Sequence, residues 1–429
     1  MNVLLISTSE RSGGGAIAAR RLMDALNKNG VKAKLMVRDK QTDAVTVCKV
    51  GNKLPKLLER LAILPRCGFP NVQLSTFNFQ LPHLWQADIA NTGIDITRTR
   101  EFQEADVIHL HWVNQGMLSL DGIDKIMGSG KRVVWTLHDE WPYLGVCHYR
   151  GDCKETECRR CPILCGSLPY YIYRRKREIY RRWHPTFVGC SQWITNEARR
   201  ALPGEKVEHI NNCIPSALFH PTDMRQARQA LSLPQDKRLL LFCSQKVTDE
   251  RKGITYLVEA IKALPQRGNR PLAAERLGSV SDGGQGGEGA FHLLIVGKNA
   301  EQIPLPDGIE ATCFGSVGEE LMPQLYNASD AFLTPSLQDN LPNTIAEAMS
   351  CGTPCVGFDV GGIPEMIDHK ENGYVARYRD AADLAAGIRF VLSHDLRAAA
   401  HSKAAAAYNE THVAQKHIML YTQSEHSEY

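Results

Sequence analysis

The chain has 429 residues, of which 43% are hydrophobic, and its formal net charge is +3. It is too long for one ordinary domain, and a charge this close to balance does not indicate a nucleic-acid partner. No apolar run reaches the roughly 18 residues of a membrane-spanning helix, and the first residues lack the basic leader of a signal peptide. Thirteen cysteines without such a signal do not indicate a disulfide scaffold, so we expect a cytoplasmic protein.

In chain order, short apolar runs alternate with longer amphipathic stretches. In the first half the pattern predicts strands at residues 3–7, 34–37, 107–110, 133–137 and 186–189, and a helix at 16–29 that Gly30 ends. In the second half it predicts strands at 239–243, 292–296, 331–334 and 355–358, and helices at 255–263, 322–328 and 343–350. Continuous apolar strands separated by helices are typical of parallel sheets that are covered on both faces.

The alternation runs through both halves, so the predicted fold class is α/β, with two doubly wound Rossmann-like domains facing across a cleft. Residues 211–223 are rich in turn formers and mark the seam between the halves. We therefore predict domains at 1–215 and 216–404, and a last helix at 405–429 that returns to the first domain. Ligands of such sheets bind at the carboxyl ends of the strands.

Residues 265–290 differ from the rest of the chain in composition, being rich in glycine, proline and charge. The glycines of this segment do not lie between a strand and a helix, in that order, as a phosphate-binding loop requires. The segment therefore predicts a mobile surface loop and not a nucleotide site.

Three glycines, Gly13 to Gly15, follow the first predicted strand and open the first helix. Without a Cβ, Gly14 and Gly15 let a phosphate approach the helix N-terminus closely. The alternative is a flexible connection, since the spacing is not the dinucleotide pattern G-x-G-x-x-G. The position at the carboxyl end of a strand favours a ligand-binding role.

Basic residues follow the first strand of the second half, at Lys246, Arg251 and Lys252. A diphosphate leaving group needs cations, because negative charge builds on it as its bond to the transferred group breaks. A solvated turn is the alternative, since most charge runs are solvated.

The stretch from Pro335 to Phe358 places an acid before a short helix and a second acid inside it. Asp339 precedes the helix, and Glu347 follows eight residues later. Pro342 suits a helix start and Gly352 suits the position just past its end. The helix N-terminus is a natural phosphate site, and the two acids suit the hydroxyl groups of a ligand that carries those phosphates.

Histidines lie at the ends of two predicted strands of the first half, with His109 and His111 at the end of one and His138 just after the other. A lone histidine is more often structural, but three near strand ends predict at least one in the site. We select His138 as the hydrogen-bond donor to a sugar or phosphate oxygen.

The segment from Cys147 to Cys165 is rich in cysteine. Cys158 and Cys161 have chelate spacing, and Cys147 and Cys153 would complete a tetrahedral zinc site with four thiolate ligands. Such a site would be structural, since it has no open coordination position. Free thiols in a reducing compartment and disulfides in an oxidising one are the alternatives.

Residues 170–184 carry six basic residues between Arg174 and Arg182, with aromatic residues interleaved. As a helix, the segment could lie on an anionic membrane surface, or it could bind nucleic acid or an acidic acceptor. A solvated basic helix with its aromatic residues in the core is the alternative.

Three stretches of the second half, "RKGITYLVEA", "LTPSLQDNLPNTIAEAMSCGTPCVGFDVGGIPEMI" and "NGYV", resemble family 4 retaining glycosyltransferases of the GT-B fold. "WTLHDEWPYLGVCHY" and the cysteines after it resemble a branch that builds bacterial surface polysaccharides of the colanic-acid type. The resemblance implies transfer from a UDP- or GDP-sugar to a saccharide or lipid-linked acceptor. It also implies that no catalytic metal takes part, and that the enzyme works at the inner face of the membrane.

The resemblance assigns roles to residues of this chain. The two acids of the family's E-x7-E motif correspond to Asp339, beside the transferred sugar, and Glu347, on the nucleotide ribose. This chain has Asp where the family has the first Glu. The basic pair on the diphosphate corresponds to Lys246, where the family usually has Arg, and to Lys252. The main-chain N–H donors would come from Gly14, Gly15, Asn340, Leu341, Asn343 and Thr344, whereas Pro342 has none.

Two other functions remain open from the sequence. A nucleotide-sugar 2-epimerase or a glycogen-synthase-like enzyme would use the same fold and donor. A non-catalytic, zinc-stabilised protein that binds a membrane or RNA would use the cysteine segment and residues 170–184, and would leave the second half without a role.

Overall fold

The computed structural model describes residues 1–63, 87–264 and 291–423. The chain forms two compact units, one of Met1–Pro215 with Tyr408–Tyr429 and one of Ser216–Ala407. The predicted loop at 265–290 lies outside the described residues.

The first unit is built on a seven-stranded sheet in which each strand pairs in parallel with its neighbours. Its order is β3-β2-β1-β4-β5-β6-β7. The strands are β1 (Asn2–Ser9), β2 (Lys32–Asp39), β3 (Val47–Lys49), β4 (Val107–Leu110), β5 (Arg132–Leu137), β6 (Thr186–Gly189) and β7 (Val207–His209). The central strands are apolar on both faces because helices cover both sides of the sheet.

Within the described ranges, six helices precede the seam, and a seventh comes from residues after 407. They are α1 (Gly14–Lys28), α2 (Leu54–Ile63), α3 (Arg100–Glu104), α4 (Leu120–Met127), α5 (Leu168–Trp183), α6 (Gln192–Ala201) and α14 (Glu410–Thr422). One core cluster includes β1, α1 and α14, through Leu5, Leu26 and Tyr421. The last helix is therefore part of the packing of the first unit.

The second unit has a six-stranded parallel sheet of order β10-β9-β8-β11-β12-β13. The strands are β8 (Arg238–Lys246), β9 (Phe291–Lys298), β10 (Ala311–Gly315), β11 (Ala331–Thr334), β12 (Cys355–Phe358) and β13 (Gly373–Ala376). The helices are α7 (Met224–Ala230), α8 (Ile254–Lys262), α9 (Met322–Ala328), α10 (Asn343–Ser350), α11 (Ile363–Met366), α12 (Ala381–Leu392) and α13 (Arg397–Ala407). Leu240, Leu333 and Val356 from three adjacent strands are fully buried in its core.

Each sheet reverses its strand order at one place, between β1 and β4 in the first unit and between β8 and β11 in the second. The loops that leave two such neighbouring strands diverge to opposite sides of the sheet and open a crevice at the carboxyl ends. The two units therefore each offer one favoured ligand position. Among the described residues, no helix combines the length and apolar character that crossing a bilayer requires.

Candidate functional site

In the second unit, the loops that leave β8 and β11 meet at the point where the strand order reverses. The Arg251 carbonyl oxygen, after β8, accepts a hydrogen bond of 2.7 Å from the Leu337 N–H, after β11. Gly253 has φ +69°, and a Cβ on it would overlap the Pro335 carbonyl oxygen. This position therefore needs glycine both for its backbone conformation and for the close approach of the second loop.

Lys252 and Asp339 form the centre of this site. The Lys252 ammonium donates a hydrogen bond of 2.6 Å to Oδ2 of Asp339, and the two side chains are 29% and 13% exposed. Lys252 is held on a short 3-10 turn, Glu250–Lys252, whose N-terminus is capped by the Asp249 carboxylate. The ion pair is partly exposed, so a ligand can reach it.

The main chain of Asp339 is held from a third direction. Gly362 donates its N–H to the Asp339 carbonyl oxygen at 3.4 Å. Gly361 has φ +58°, and a Cβ there would overlap the same oxygen. The sequence "DVGGIP" after β12 thus supports the first acid, a role that the sequence analysis missed because the contact joins distant segments.

Helix α10 begins at Asn343, as predicted, with Pro342 at the N-cap, where no side chain caps the helix. Glu347 lies on the buried side of α10 and is 6% exposed. Its Oε2 accepts a hydrogen bond of 2.9 Å from the Tyr326 hydroxyl. Tyr326 therefore fixes the second acid, and no motif in the sequence pointed to it.

Cys243, near the end of β8, connects the members of this site electrostatically. Burial and, to a smaller extent, the Glu347 carboxylate raise the pKa of its thiol and the Lys252 ammonium lowers it, which together bring it to about 12. Both charged groups therefore act on one partly buried thiol. Together with the direct Lys252–Asp339 bond, this groups Lys252, Asp339 and Glu347 at the carboxyl end of β8.

The remaining residues predicted for the donor fall into two groups. Asn340 and Leu341 are buried in the loop before α10, and Asn343 and Thr344 begin that helix. Lys246 is the last residue of β8 and is exposed. In the described part of the chain no hydrogen bond or ion pair joins Lys246 to the two acids, so Lys252 is the cation that the structure places beside them.

The first unit has its own cluster at the end of β1, β4 and β5. Gly14 and Gly15 begin α1, and a Cβ on Gly15 would lie 3.1 Å from the His138 ring. His138 Nε2 lies 2.9 Å from His111 Nδ1, so one imidazole donates to the other. Burial lowers the pKa of His138 to about 4, which keeps its ring neutral at physiological pH.

His109, by contrast, is a structural residue. Its two ring nitrogens lie 2.6 Å from the Tyr421 hydroxyl and 2.7 Å from the Thr136 hydroxyl. Burial lowers the pKa of His109 well below its usual value. Of the three histidines at these strand ends, His138 is the one that is not fully buried, and its hydrogen bond with His111 positions it.

The cysteine segment is built around hydrogen bonds to sulfur. Gly145 donates its N–H to Cys158 Sγ at 3.1 Å, and Ile163 and Leu164 donate theirs to Cys161 Sγ, each at 3.4 Å. The neighbouring Cys147 side chain is the main cause that lowers the pKa of the Cys161 thiol to about 6. Within the described ranges every cysteine is a free thiol, and no group of three or more His, Cys, Asp or Glu side chains is placed to hold a metal ion.

The basic helix α5 uses most of its charges inside its own unit. Lys176 is buried and donates to the carbonyl oxygens of Trp141, Leu144 and Gly145 at 2.6 to 3.0 Å. The other partners are Glu178 for Arg174, Asp124 for Arg175 and Arg182, and the Ala201 carbonyl oxygen for Arg177. These contacts favour a structural role for the charge run that the sequence offered as a membrane surface.

Comparison with known proteins gives a family match within the second unit. Residues 237–394 match a family model described as "Glycosyl transferases group 1". An uncharacterized glycosyltransferase of Methanocaldococcus jannaschii, MJ1607, is 23% identical over 75% of this chain and 80% of the relative. The N-acetyl-alpha-D-glucosaminyl L-malate synthase of Bacillus anthracis is 23% identical over 75% of this chain and 74% of the relative. The chain therefore has group 1 glycosyl transferases among its homologues.

Solved structures match over nearly the full length. Sucrose-phosphate synthase from Thermosynechococcus elongatus has a TM-score of 0.63 at 17% identity, with 98% of each chain covered. Anabaena Alr3699/HepE, in complex with UDP and glucose, has a TM-score of 0.63 at 15% identity, with 98% of this chain and 99% of that chain covered. The predicted fold class, α/β with two doubly wound domains of the GT-B type, is confirmed.

Proposed function

We propose that this protein is a retaining glycosyltransferase that moves a sugar from a UDP- or GDP-sugar to a saccharide or lipid-linked acceptor. The observation that carries the proposal is the Lys252–Asp339 pair, held between two loops at the N-terminal side of α10. A cation and helix N–H groups suit the donor's diphosphate, and the adjacent carboxylate suits a sugar hydroxyl. The family model that residues 237–394 match, described as "Glycosyl transferases group 1", supports glycosyl transfer.

Lys252 can serve the carboxylate and the diphosphate at the same time. An ammonium group has three N–H donors, and Asp339 takes one of them. We assign the other two to oxygens of the donor diphosphate. Asp339 accepts from a hydroxyl of the transferred sugar, and Glu347, oriented by Tyr326, accepts from the nucleotide ribose.

The reaction depends on charge stabilisation more than on a protein base. The bond from the anomeric carbon to the diphosphate oxygen breaks, its electron pair goes to the diphosphate, and the sugar gains oxocarbenium character. Lys252 and the start of α10 stabilise the charge that builds on the leaving group. The acceptor hydroxyl attacks from the same face and gives its proton to the leaving phosphate, so the configuration is retained.

Further assignments complete the proposal. Lys246 and the N–H groups of Gly14 and Gly15 are additional diphosphate ligands, and the neutral His138 ring donates a hydrogen bond to substrate. No catalytic metal is required, because lysine ammonium groups take the place of the cation. The acceptor belongs to bacterial surface-polysaccharide synthesis, and a lipid-linked acceptor would bring the enzyme to the anionic inner face of the membrane.

A panel of nucleotide-sugars tests this proposal in two steps. The donor raises the thermal midpoint of the wild-type protein, because a ligand that binds only the native state stabilises it. Glu347→Gln weakens this stabilisation, whereas Glu259→Gln, an exposed site on α8, leaves it unchanged. Transfer to saccharide acceptors is then followed by NMR of the product anomer.

The other functions are distinguished by the same reactions. Conversion of the donor to its 2-epimer without transfer would assign the site to an epimerase, and growth of an α-glucan would assign it to a glycogen-synthase-like enzyme. If no nucleotide-sugar stabilises the protein, the proposed function is wrong, and a non-catalytic role for the chain would have to be considered.

A further inference from the structure

One face of the first sheet carries polar side chains where β1 and β4 end. Leu5 pairs with His109 in the register of the two strands, and side chains two residues further along a strand lie on the same face. Those next residues are Ser7 and His111, and the His111 N–H continues the ladder by donating to the Ile6 carbonyl oxygen at 2.9 Å. Ser7 and His111 are therefore neighbours, and both are buried.

The His111 ring is bonded at one of its two nitrogens. Its Nδ1 lies 2.9 Å from Nε2 of His138. In the part of the chain that the structure describes, His111 Nε2 and the Ser7 hydroxyl oxygen are buried and make no hydrogen bond. The hydroxyl is thus the neighbouring group that can donate to this nitrogen, since serine is both donor and acceptor.

The His138 ring is held on two sides. A Cβ on Gly15 would lie 3.1 Å from both Cγ and Cδ2 of the ring, so the start of α1 packs closely against that bond. Nε2 faces His111. Burial lowers the pKa of both histidines, so each ring is neutral at physiological pH and carries one proton. Because Nε2 is bonded to His111, the hydrogen bond that we assign to substrate has to come from Nδ1.

Two proton arrangements fit the contact between the two rings, and they differ at His111 Nε2. If His138 donates from Nε2, its Nδ1 is an acceptor, and His111 buries an N–H at Nε2. If His111 donates from Nδ1, its Nε2 is a lone pair. A buried N–H without a partner is rarer in proteins than an acceptor with an unused lone pair. The geometry therefore favours His111 as the donor.

We propose that His111 is a positioning residue that fixes His138 as the Nδ1–H tautomer, with the Ser7 hydroxyl donating to His111 Nε2. His138 then offers its substrate a hydrogen-bond donor and not an acceptor. The atom that it meets is an oxygen with an available lone pair, as on a phosphate or a sugar. The role in catalysis rests on the proposed function, whereas the tautomer is a property of the free protein.

Long-range NMR of the full chain with ¹⁵N-labelled histidine measures the tautomer directly, because ring nitrogens with and without a proton resonate far apart. The signals that disappear in His138→Gln and in His111→Leu identify the two rings. We expect both wild-type rings to carry the proton on Nδ1 at neutral pH. In His111→Leu the donor is lost, so part of the His138 proton moves to Nε2. A wild-type His138 with its proton on Nε2 would overturn the proposal, and this result does not depend on any variant that may be misfolded.

Three further variants separate positioning from packing. His111→Asn places an amide N–H near the position of Nδ1 and should restore the Nδ1–H tautomer of His138. Ser7→Ala should shift the His111 Nε2 signal toward that of a nitrogen with no hydrogen bond, and an unchanged signal would contradict the part assigned to Ser7. His292→Leu is the control, since it replaces a buried histidine of the second unit. It should leave both rings as in the wild type, and an altered His138 signal would show that the tautomer follows general stability instead.

Kinetics separate this inference from the proposed function. With a nucleotide-sugar that stabilises the wild type, His111→Leu should lower kcat/KM about tenfold, as expected for one lost hydrogen bond, and His111→Asn should recover most of the loss. If no nucleotide-sugar binds, the proposed function is wrong and the tautomer measurement still stands. If transfer proceeds and His111→Leu keeps the wild-type kcat/KM, His111 does not position His138 for the reaction and the inference is wrong.

Discussion

The Lys252 ammonium donates one hydrogen bond to Asp339. Its remaining N–H groups are assigned to the donor diphosphate. Lys252→Ala removes the stabilisation of the leaving group, so we expect turnover to fall by about 10² to 10³. The cost in folding stability should be near 1 kcal/mol or less, because the ion pair is partly exposed. Release of nucleoside diphosphate and a thermal melt measure the two effects separately.

Lys262→Ala is the matched control for this substitution, since Lys262 is an exposed lysine at the end of α8. It should keep the wild-type rate. A normal rate in Lys252→Ala would show that the leaving group is stabilised elsewhere.

Tyr326 acts on the donor through Glu347. Tyr326→Phe removes the hydroxyl that donates to Glu347 Oε2, so the second acid loses its fixed orientation. We expect the KM for the nucleotide-sugar to rise several-fold while kcat changes little, because the ribose is bound equally in the ground and transition states. The free energy of unfolding should fall by about 1 kcal/mol. A large loss of kcat with KM unchanged would place Glu347 at the reacting sugar instead.

Single residues of the site could be predicted from the sequence only where they belong to a local pattern. Asp339 and Glu347 stand in one such pattern, around a proline and a glycine that bound a helix. Tyr326, Gly253 and Gly361 do not, because each acts through a contact with a segment remote in sequence. Such contacts exist only in the folded chain.

At the scale of elements, central strands were predictable and edge strands were not. Each of the nine predicted strands lies within an observed strand, whereas β3, β7, β10 and β13 were missed. All four are at the edges of the two sheets. An edge strand is short and covered by fewer neighbours, so it lacks the continuous apolar run that identifies a central parallel strand.

A cluster of neutral histidines links β4, β5 and α14 and makes the first unit sensitive to acid. Burial is the main cause that lowers the pKa in each of them, to about 4 for His138 and about 3 for His417; the other members are His109 and His111. Their ordinary value is 6.5. Below that value the unfolded chain binds more protons than the folded one, so stability falls as the pH decreases toward about 4.

The slope is about 1.4 kcal/mol per pH unit for each histidine at most. Glu59 acts in the opposite direction. Burial raises its pKa to about 9, so the stability that the protonated carboxyl contributes is lost as the pH rises. Four histidines outweigh this single carboxyl. We therefore expect a lower thermal midpoint for the first unit at pH 5.5 than at pH 7.5, and an equal or higher midpoint would contradict the cluster's role.

In the cysteine segment, Cys161 should be the most reactive thiol. Its sulfur accepts hydrogen bonds from the Ile163 and Leu164 N–H groups, and the Cys147 side chain is the largest cause that lowers its pKa to about 6. Alkylation at pH 7 should therefore modify Cys161 before Cys153 and the exposed Cys165. The zinc site predicted from spacing leads to the opposite expectation. About one zinc ion per chain would then protect all four thiolates from alkylation. Metal analysis with timed mass spectrometry decides between them.

For the whole molecule, the division into two units predicts which residues a bound donor protects from hydrogen exchange. Lys252, Asp339 and Glu347 all belong to the second unit. Hydrogen exchange with nucleotide-sugar bound should therefore slow in residues 250–254 and 337–347. Slower exchange at Gly14 and Gly15 would support their predicted part in diphosphate binding. Protection confined to the first unit would contradict the proposed donor site.

The placement of α14 has a consequence for synthesis on the ribosome. The first unit needs the Tyr421 hydroxyl beside His109 and the bridge between Ile214 and Asn409. Residues 1–215 therefore leave the ribosome first. The first unit cannot complete its packing until residue 421 has been synthesised. All of Ser216–Ala407 emerges before that moment, so the later unit can close before the earlier one. During that interval the core residues that α14 later covers are exposed to chaperones and proteases.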